Sequence, residues 1–294
     1  MSSAAEMHEV PEVPATRASG RWLNAFRTPG GVVGVILMAL VGALAVYAAA
    51  GFGPDPAAQD VGEALQGPSG NHWFGTDQFG RDIFARVCSG LANSLRVAAV
   101  SVSVAAVGGV LLGIVAGYYQ GVLDRVVGVI TNVLFAFPSL LLALALAATL
   151  HRSWLTVAVA IAVVYLPIFA RVARGPVLTL RSADYVLAAT AIGRSRLSTL
   201  FAHVLPNILG ILVVQVTLSL SWAILTEAAL SFLGFGTPPP AASLGGMVYA
   251  AQTLVSVAPW MLYAPGAALI VAVVGLNLLG DGLRAALDPR GGTP

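Results

Sequence analysis

Six apolar stretches run along the chain, each long enough to cross about 30 Å of hydrocarbon at about 1.5 Å per residue. They fall at 31–51, 97–119, 126–149, 154–172, 208–231 and 261–282. The pattern predicts six membrane-spanning helices. Short polar turns at Gln120–Arg125 and Leu150–Ser153 separate the second, third and fourth of them. Three longer segments, 52–96, 173–207 and 232–260, carry most of the polar and turn-forming residues between the spans.

Composition agrees with this pattern. The 294 residues are 57% hydrophobic and 10% charged, with a mean hydropathy of +0.86, where a soluble domain carries about a quarter charged residues. The class is an all-α, polytopic membrane protein. Arg17, Arg21 and Arg27 precede the first span and Ala48-Ala49-Ala50 closes it, an arrangement a signal peptide shares. Its apolar core of about 20 residues exceeds the roughly 7–15 of a signal peptide, so it reads as a retained first helix. The Ser/Ala/Glu/Pro-rich start of the chain predicts disorder.

Every basic residue is arginine, and their placement orients the spans. With a cytoplasmic N-terminus, the inside segments hold Arg17, Arg21, Arg27, Arg125, Arg171, Arg174, Arg181, Arg194, Arg196, Arg284 and Arg290. The outside segments and span ends hold only Arg81, Arg86, Arg96 and Arg152. The positive-inside rule therefore predicts that both termini and the 173–207 loop are cytoplasmic. The predicted organisation is a cytoplasmic tail (1–30), a first span (31–51), an extracytoplasmic segment (52–96), a membrane core (97–282) and a cytoplasmic tail (283–294).

Chemistry is sparse. Cys88 is the single cysteine, so no intrachain disulfide forms. The four histidines are scattered, and no HExxH, Cys-x-x-Cys or P-loop pattern occurs. These facts predict no metal site and no ATP site in the chain. Within the spans, Gly109, Gly113 and Gly117 recur every four residues, a spacing that lets helix backbones approach closely, within the subunit or across a subunit contact. Pro138 and Pro167 are candidate kinks. Gln215, Ser219, Trp222 and Thr226 fall on one face of the fifth span. Polar groups in hydrocarbon face a wet cavity or a partner, so this stripe lines a translocation path or bonds to another helix. Glu227 lies about 100° off it, in the register of a structural ion pair or hydrogen bond. Asn277 and Asp281 share a face of the sixth span and predict packing contacts.

The 182–207 loop is unusual for a membrane protein. Ser182 or Asp184 can cap a short helix, and Gly193 suits its C′ position. Ser195 can cap a second helix ending before Pro206. The first helix is too short to be stable alone in water. Its Tyr185, Val186, Ala188, Ala189 and Ile192 are expected at the surface, against the chain's own helix ends or against another protein.

Ala188-Ala189, Gly193 and Leu205-Pro206 resemble the "EAA" loop of bacterial ABC-importer permeases, with Leu187 where that motif has its Glu. Three more segments are similar to the C-type permease subunit of the dipeptide/oligopeptide (and nickel) importer family. They are His72 to Asp82 (HWFGTDQFGRD), Glu227 to Gly236 (EAALSFLGFG) and Asn277 to Arg290. The resemblance implies a type I ABC-importer permease fold whose coupling helix docks on an ATPase through Asp184, Tyr185, Ala188, Ala189, Ala191, Gly193, Arg194 and Arg196. It implies residence in a bacterial cytoplasmic (inner) membrane and no enzymatic chemistry or cofactor in the chain, ATP and Mg being bound by partner ATPases. It further implies a second homologous permease, two ATPases or one fused ATPase, an extracytoplasmic substrate-binding protein, no nucleic acid, and short peptides as cargo, with nickel, glutathione or haem as alternatives. Gly75, Thr76, Asp77, Gly80, Arg81 and Asp82 form its extracytoplasmic signature, read either as a structural turn or as a surface meeting the delivering protein. A secondary transporter is the competing function class. It would need internal repeats and mid-span acids, neither of which the sequence displays.

Overall fold

The computed structural model describes residues 28–287. The N-terminal arginines Arg17, Arg21 and Arg27, the start of the chain and the Asp288-Pro289-Arg290 end lie outside them. Helices α1 (Pro29–Ala49), α2 (Ile83–Tyr119), α5 (Trp154–Leu180), α7 (Arg196–Phe232) and α9 (Trp260–Leu287) are each long and apolar enough to cross a membrane. The third span in chain order is divided into α3 (Gly121–Ala136) and α4 (Ser139–Thr149), bent by 92°. Two short helices, α6 (Asp184–Ala191) and α8 (Leu244–Ala251), lie at opposite ends of the bundle.

Side-chain caps fix where the helices begin. Thr28 Oγ1 accepts from Gly31 N, Asp82 Oδ1 from Ala85 N, Ser153 Oγ from Thr156 N, and Ser243 Oγ from Gly246 N. Each satisfies an N–H that the first turn leaves without a helical partner. At the other boundary, Gln120 takes φ +54 and breaks the chain between α2 and α3. The expected six-residue turn at Gln120–Arg125 is thus a single residue, and the next helix starts at Gly121.

Helices α2 and α5 form the centre, and α7 packs on both. Helix α9 lies against α1 and α7. The core holds Leu91, Val102, Ile161, Phe169, Ile224 and Leu230, all buried. The glycine stripe of α2 makes the central contact. A Cβ on Gly109 would lie 2.4 Å from Leu166 O, and one on Gly113 only 2.2 Å from Ala170 O. The stripe therefore serves packing within the subunit, against α5.

Several span boundaries differ from the hydropathy pattern, and α5 runs on to Leu180, past the expected end at 172. Helix α2 begins at Ile83, well ahead of the apolar stretch at 97, because its polar residues find partners. Arg86 Nη1 donates to Pro56 O and Ser94 Oγ to Glu227. The third span is broken at Phe137-Pro138. Phe137 is extended (φ −92, ψ 137), as a residue before proline tends to be. The helix capped by Ser195 does not end before Pro206. It passes through a π segment, Leu200–Val204, in which Leu205 N bonds Leu200 O, and continues to Phe232. The wider turn carries the backbone past a proline that has no N–H to give. By contrast, α5 contains Pro167 without ending there.

Candidate functional site

At one end of the bundle, α6 stands out between α5 and α7. Gly193 sits at its C′ position with φ +83. Arg194 N bonds Ala189 O, and Gly193 N bonds Thr190 O, the paired bonds of a Schellman stop. Residue 183, not Ser182 or Asp184, occupies the N-cap, and no side chain caps it. Asp184 instead lies in the first turn, where a negative charge suits the helix dipole.

The expectation that one face of α6 is exposed needs correcting at two residues. Val186 and Ala189 point inward, 1% and 7% exposed. Val186 joins Ile114, Ala173, Val177, Leu200, Val204, Ile208 and Leu212 in a second apolar core. A periodicity of 3.6 assigns faces to a helix but does not say which face meets the protein. Tyr185, Leu187, Ala188, Ala191, Ile192, Arg194 and Arg196 are exposed, Ile192 at 83%. Arg194 anchors the following turn. Its Nε donates to Ser198 Oγ (3.0 Å) and its Nη1 lies 2.6 Å from His203 Nε2. Helix α6 is thus fixed from beneath and presents an apolar surface edged by two arginines.

In the middle of the bundle, Gln215, Ser219 and Trp222 line one cavity of about 340 Å³ with Phe135, Phe137, Ser139, Tyr165 and Ile168. The bend at Pro138 brings Phe137 and Ser139 to this wall, a contribution that a straight third span conceals. Thr226 lies a turn beyond, its Oγ1 3.4 Å from Tyr165 OH. Gln215 Nε2 donates to Ser219 Oγ (3.1 Å). Arg171 stacks 4.1 Å over the Phe135 ring, close to the same wall.

At the opposite end, residues 52–82 form a cap. The six signature residues occupy one knot. Gly75 and Gly80 take φ +75 and +71, and a Cβ on Gly80 would lie 1.6 Å from Asp60 O. Thr76 is fully buried, and its Oγ1 accepts from Gln66 N. Asp77 accepts from Phe79 N, Arg81 N and Arg81 Nε (2.7 Å). Trp260 Nε1 donates to Thr76 O and ties the knot to α9. Asp82 serves the α2 N-terminus and His72.

His72 lies between two carboxylates, with Nδ1 2.9 Å from Asp82 Oδ2 and Nε2 2.9 Å from Glu63 Oε2. Only the doubly protonated ring donates to both. The hydrogen bond to Asp82, and that to Glu63, hold its pKa above the ordinary 6.5 against the opposing effect of burial. The bridge stabilises the cap fully below pH 6.5, and that stability is lost as pH rises through the higher folded value. As pH rises from 6.5 through the higher folded value, part of the fall in thermal stability of the solubilised protein should therefore depend on His72. His72→Gln should remove that part. An unchanged pH profile in the variant would show that the bridge contributes nothing.

Glu227 is fully buried. It accepts hydrogen bonds from Ser94 Oγ (2.6 Å) and Ser231 Oγ (2.7 Å), joining α7 to α2 with no cation beside it among the described residues. Of the two expected α9 contacts, Asn277 accepts from Ser221 Oγ (2.8 Å). Asp281 does not pack and is exposed.

The model of the family "binding-protein-dependent transport system inner membrane component" matches residues 109–291, more than half of the chain. The chain belongs to this family. Among its relatives, the dipeptide transport system permease protein DppC of Alkalihalophilus pseudofirmus is 39% identical over 97% of this chain and 95% of its own. The glutathione transport system permease protein GsiD of Pectobacterium atrosepticum is 41% identical over 79% of this chain and 77% of its own. The oligopeptide transport system permease protein OppC of Bacillus subtilis is 36% identical over 88% and 85%. The expected resemblance to C-type permeases holds, and the chain is the permease, not the catalytic, kind of transport component.

Proposed function

We propose that this permease forms half of the translocation pathway of an ATP-driven importer of short peptides, in a bacterial cytoplasmic membrane. ATPase subunits separate from this chain dock on the exposed face of α6. Both termini and α6 face the cytoplasm, and the 52–82 cap faces outward. A second homologous permease completes the pathway, and an extracytoplasmic binding protein delivers cargo at the cap. The chain itself binds no ATP, Mg or other cofactor.

The observation that carries this reading is α6. Its inner residues belong to a core shared with α2, α5 and α7, while Tyr185, Leu187 and Ile192 remain exposed. A rigidly mounted apolar surface of this kind transmits a push from a partner into the spans, as a switch between inward- and outward-open states requires. Peptide cargo is supported by relatives named for dipeptide and oligopeptide transport. A relative named for glutathione transport supports a second cargo, itself a modified tripeptide.

The test is purification of the tagged permease in mild detergent from its native membrane, followed by reconstitution with whatever co-purifies. The expected result is a second six-span permease and Walker-motif ATPases, with uptake of labelled dipeptide that needs ATP and is reduced by excess unlabelled dipeptide more than by glutathione. Uptake driven by an ion gradient without ATPases would overturn the proposal in favour of a secondary transporter.

The cavity at Gln215, Ser219 and Trp222 is assigned to the pathway. Cysteine at Trp222 should react with a soluble thiol reagent, and its rate should change several-fold when ATP is trapped on the transporter. Cysteines at 215, 219 and 222 that stay unreactive in every nucleotide state would remove the stripe from the pathway.

A further inference from the structure

The cap end carries a second cavity, of about 530 Å³, that shares no lining residue with the α7 stripe. Arg81, Arg86 and Arg152 line it, and Asp77 is the one carboxylate among them. These are three of the four arginines that the positive-inside pattern leaves on the outer side. Residues far apart in sequence bring them together: the cap, the first turns of α2 and the turn before α5.

Asp77 pairs with Arg81 and Arg86, and one carboxylate cannot balance three guanidinium groups. Asp77 already accepts two backbone N–H groups and the Nε of Arg81, with Arg86 Nε 3.6 Å away. Arg152 is exposed and makes no hydrogen bond or ion pair among the described residues. An unpaired guanidinium group at the edge of a cleft with excess positive charge attracts an anion by long-range field, and at contact it binds a carboxylate in bidentate fashion.

We propose that this cleft seats an acidic side chain of the extracytoplasmic substrate-binding protein, with Arg152 as its principal contact. This rests on the outward orientation of the cap given above. A carboxylate on a docking protein fits better than cargo, because the cleft and the stripe cavity are separate. The cleft walls are also fixed, by the Asp77 knot on one side and by Ser243 capping α8 on the other, so the seat is organised before the partner arrives.

The experiment uses the complete transporter in nanodiscs and, as probe, the binding protein that co-purifies with it. Affinity and association rate are measured at low and high salt for wild type, Arg152→Glu and Arg152→Lys, alongside ATPase activity without binding protein. Arg152→Glu should weaken affinity about tenfold or more at low salt, mostly through slower association. It should lose much of the salt dependence and leave the unstimulated ATPase rate unchanged, and Arg152→Lys should restore most of the affinity. Wild-type affinity and salt dependence in Arg152→Glu would overturn the proposal. So would unchanged docking combined with a raised KM for dipeptide, which would make the cleft a cargo site. A wild-type transporter that binds no binding protein under any condition would overturn the importer reading itself, and is distinct from docking that ignores Arg152.

Discussion

Replacing Ala188 by glutamate is expected to abolish ATP-driven uptake while leaving the permease folded and inserted. Ala188 is exposed on α6, on the surface proposed to meet the ATPase, so glutamate is harmless to the isolated chain. In the docked complex it buries an unpaired charge, which costs several kcal/mol, about 2–5 for a comparable broken pair. That is roughly a 30-fold to several-thousand-fold loss of the docked state. Ala189→Glu is the instructive companion. Ala189 is 7% exposed within the chain, so its substitution should lower the yield of folded permease as well as uptake. The readouts are dipeptide uptake, ATP hydrolysis and monodisperse yield in detergent. Wild-type uptake by Ala188→Glu would remove α6 from coupling.

The second large effect concerns folding. Gly113→Val should destabilise the α2–α5 seam by about 3 kcal/mol or more, the upper end for overpacking, because the obstructing atom is backbone. A Cβ there would lie 2.2 Å from Ala170 O, and the nearest retreat would move the centre of the bundle. Gly128 and Gly175, by contrast, have nothing within 4 Å of an added Cβ. Alanine at either should be neutral or slightly stabilising, since it lowers the entropy of the unfolded chain and suits a helix. Thermal unfolding in detergent separates the two classes. Equal stabilities for Gly113→Val and Gly128→Ala would show that the seam is not close-packed.

Much of this was legible in the sequence, for identifiable reasons. Ser195 read as a cap because a hydroxyl before a helical run has one dominant use, and Gly193 read as a stop because glycine alone takes the left-handed backbone without penalty, as its φ of +83 bears out. The glycine stripe announced a close helix contact, though not whether its partner belonged to the same chain. The stripe on α7 gave a face without a destination. The Pro138 bend that makes a cavity beside it depends on how α4 packs on α5, a tertiary fact. Hydropathy missed the first turns of α2 because Arg86 and Ser94 score as polar wherever they sit, and only the fold supplies Pro56 O and Glu227 as their partners. Arg152 gave no local signal, since its significance comes from Arg81 and Arg86 on segments far from it in the chain.

The unbroken course of α7 has a mechanical consequence. At about 1.5 Å per residue, the run from Arg196 to Phe232 is a shaft of roughly 55 Å, longer than the hydrocarbon it crosses. One tip adjoins α6, the middle bears Gln215 and Ser219, and Ser231 at the other tip borders the arginine cleft. A stiff rod pivoting near its centre by about 10° swings each tip roughly 5 Å in opposite directions. Displacements at α6 and at the cap end would then share a single degree of freedom, so that under the proposed orientation a protein settling on the cap is felt at the ATPase face with no signal relayed from residue to residue.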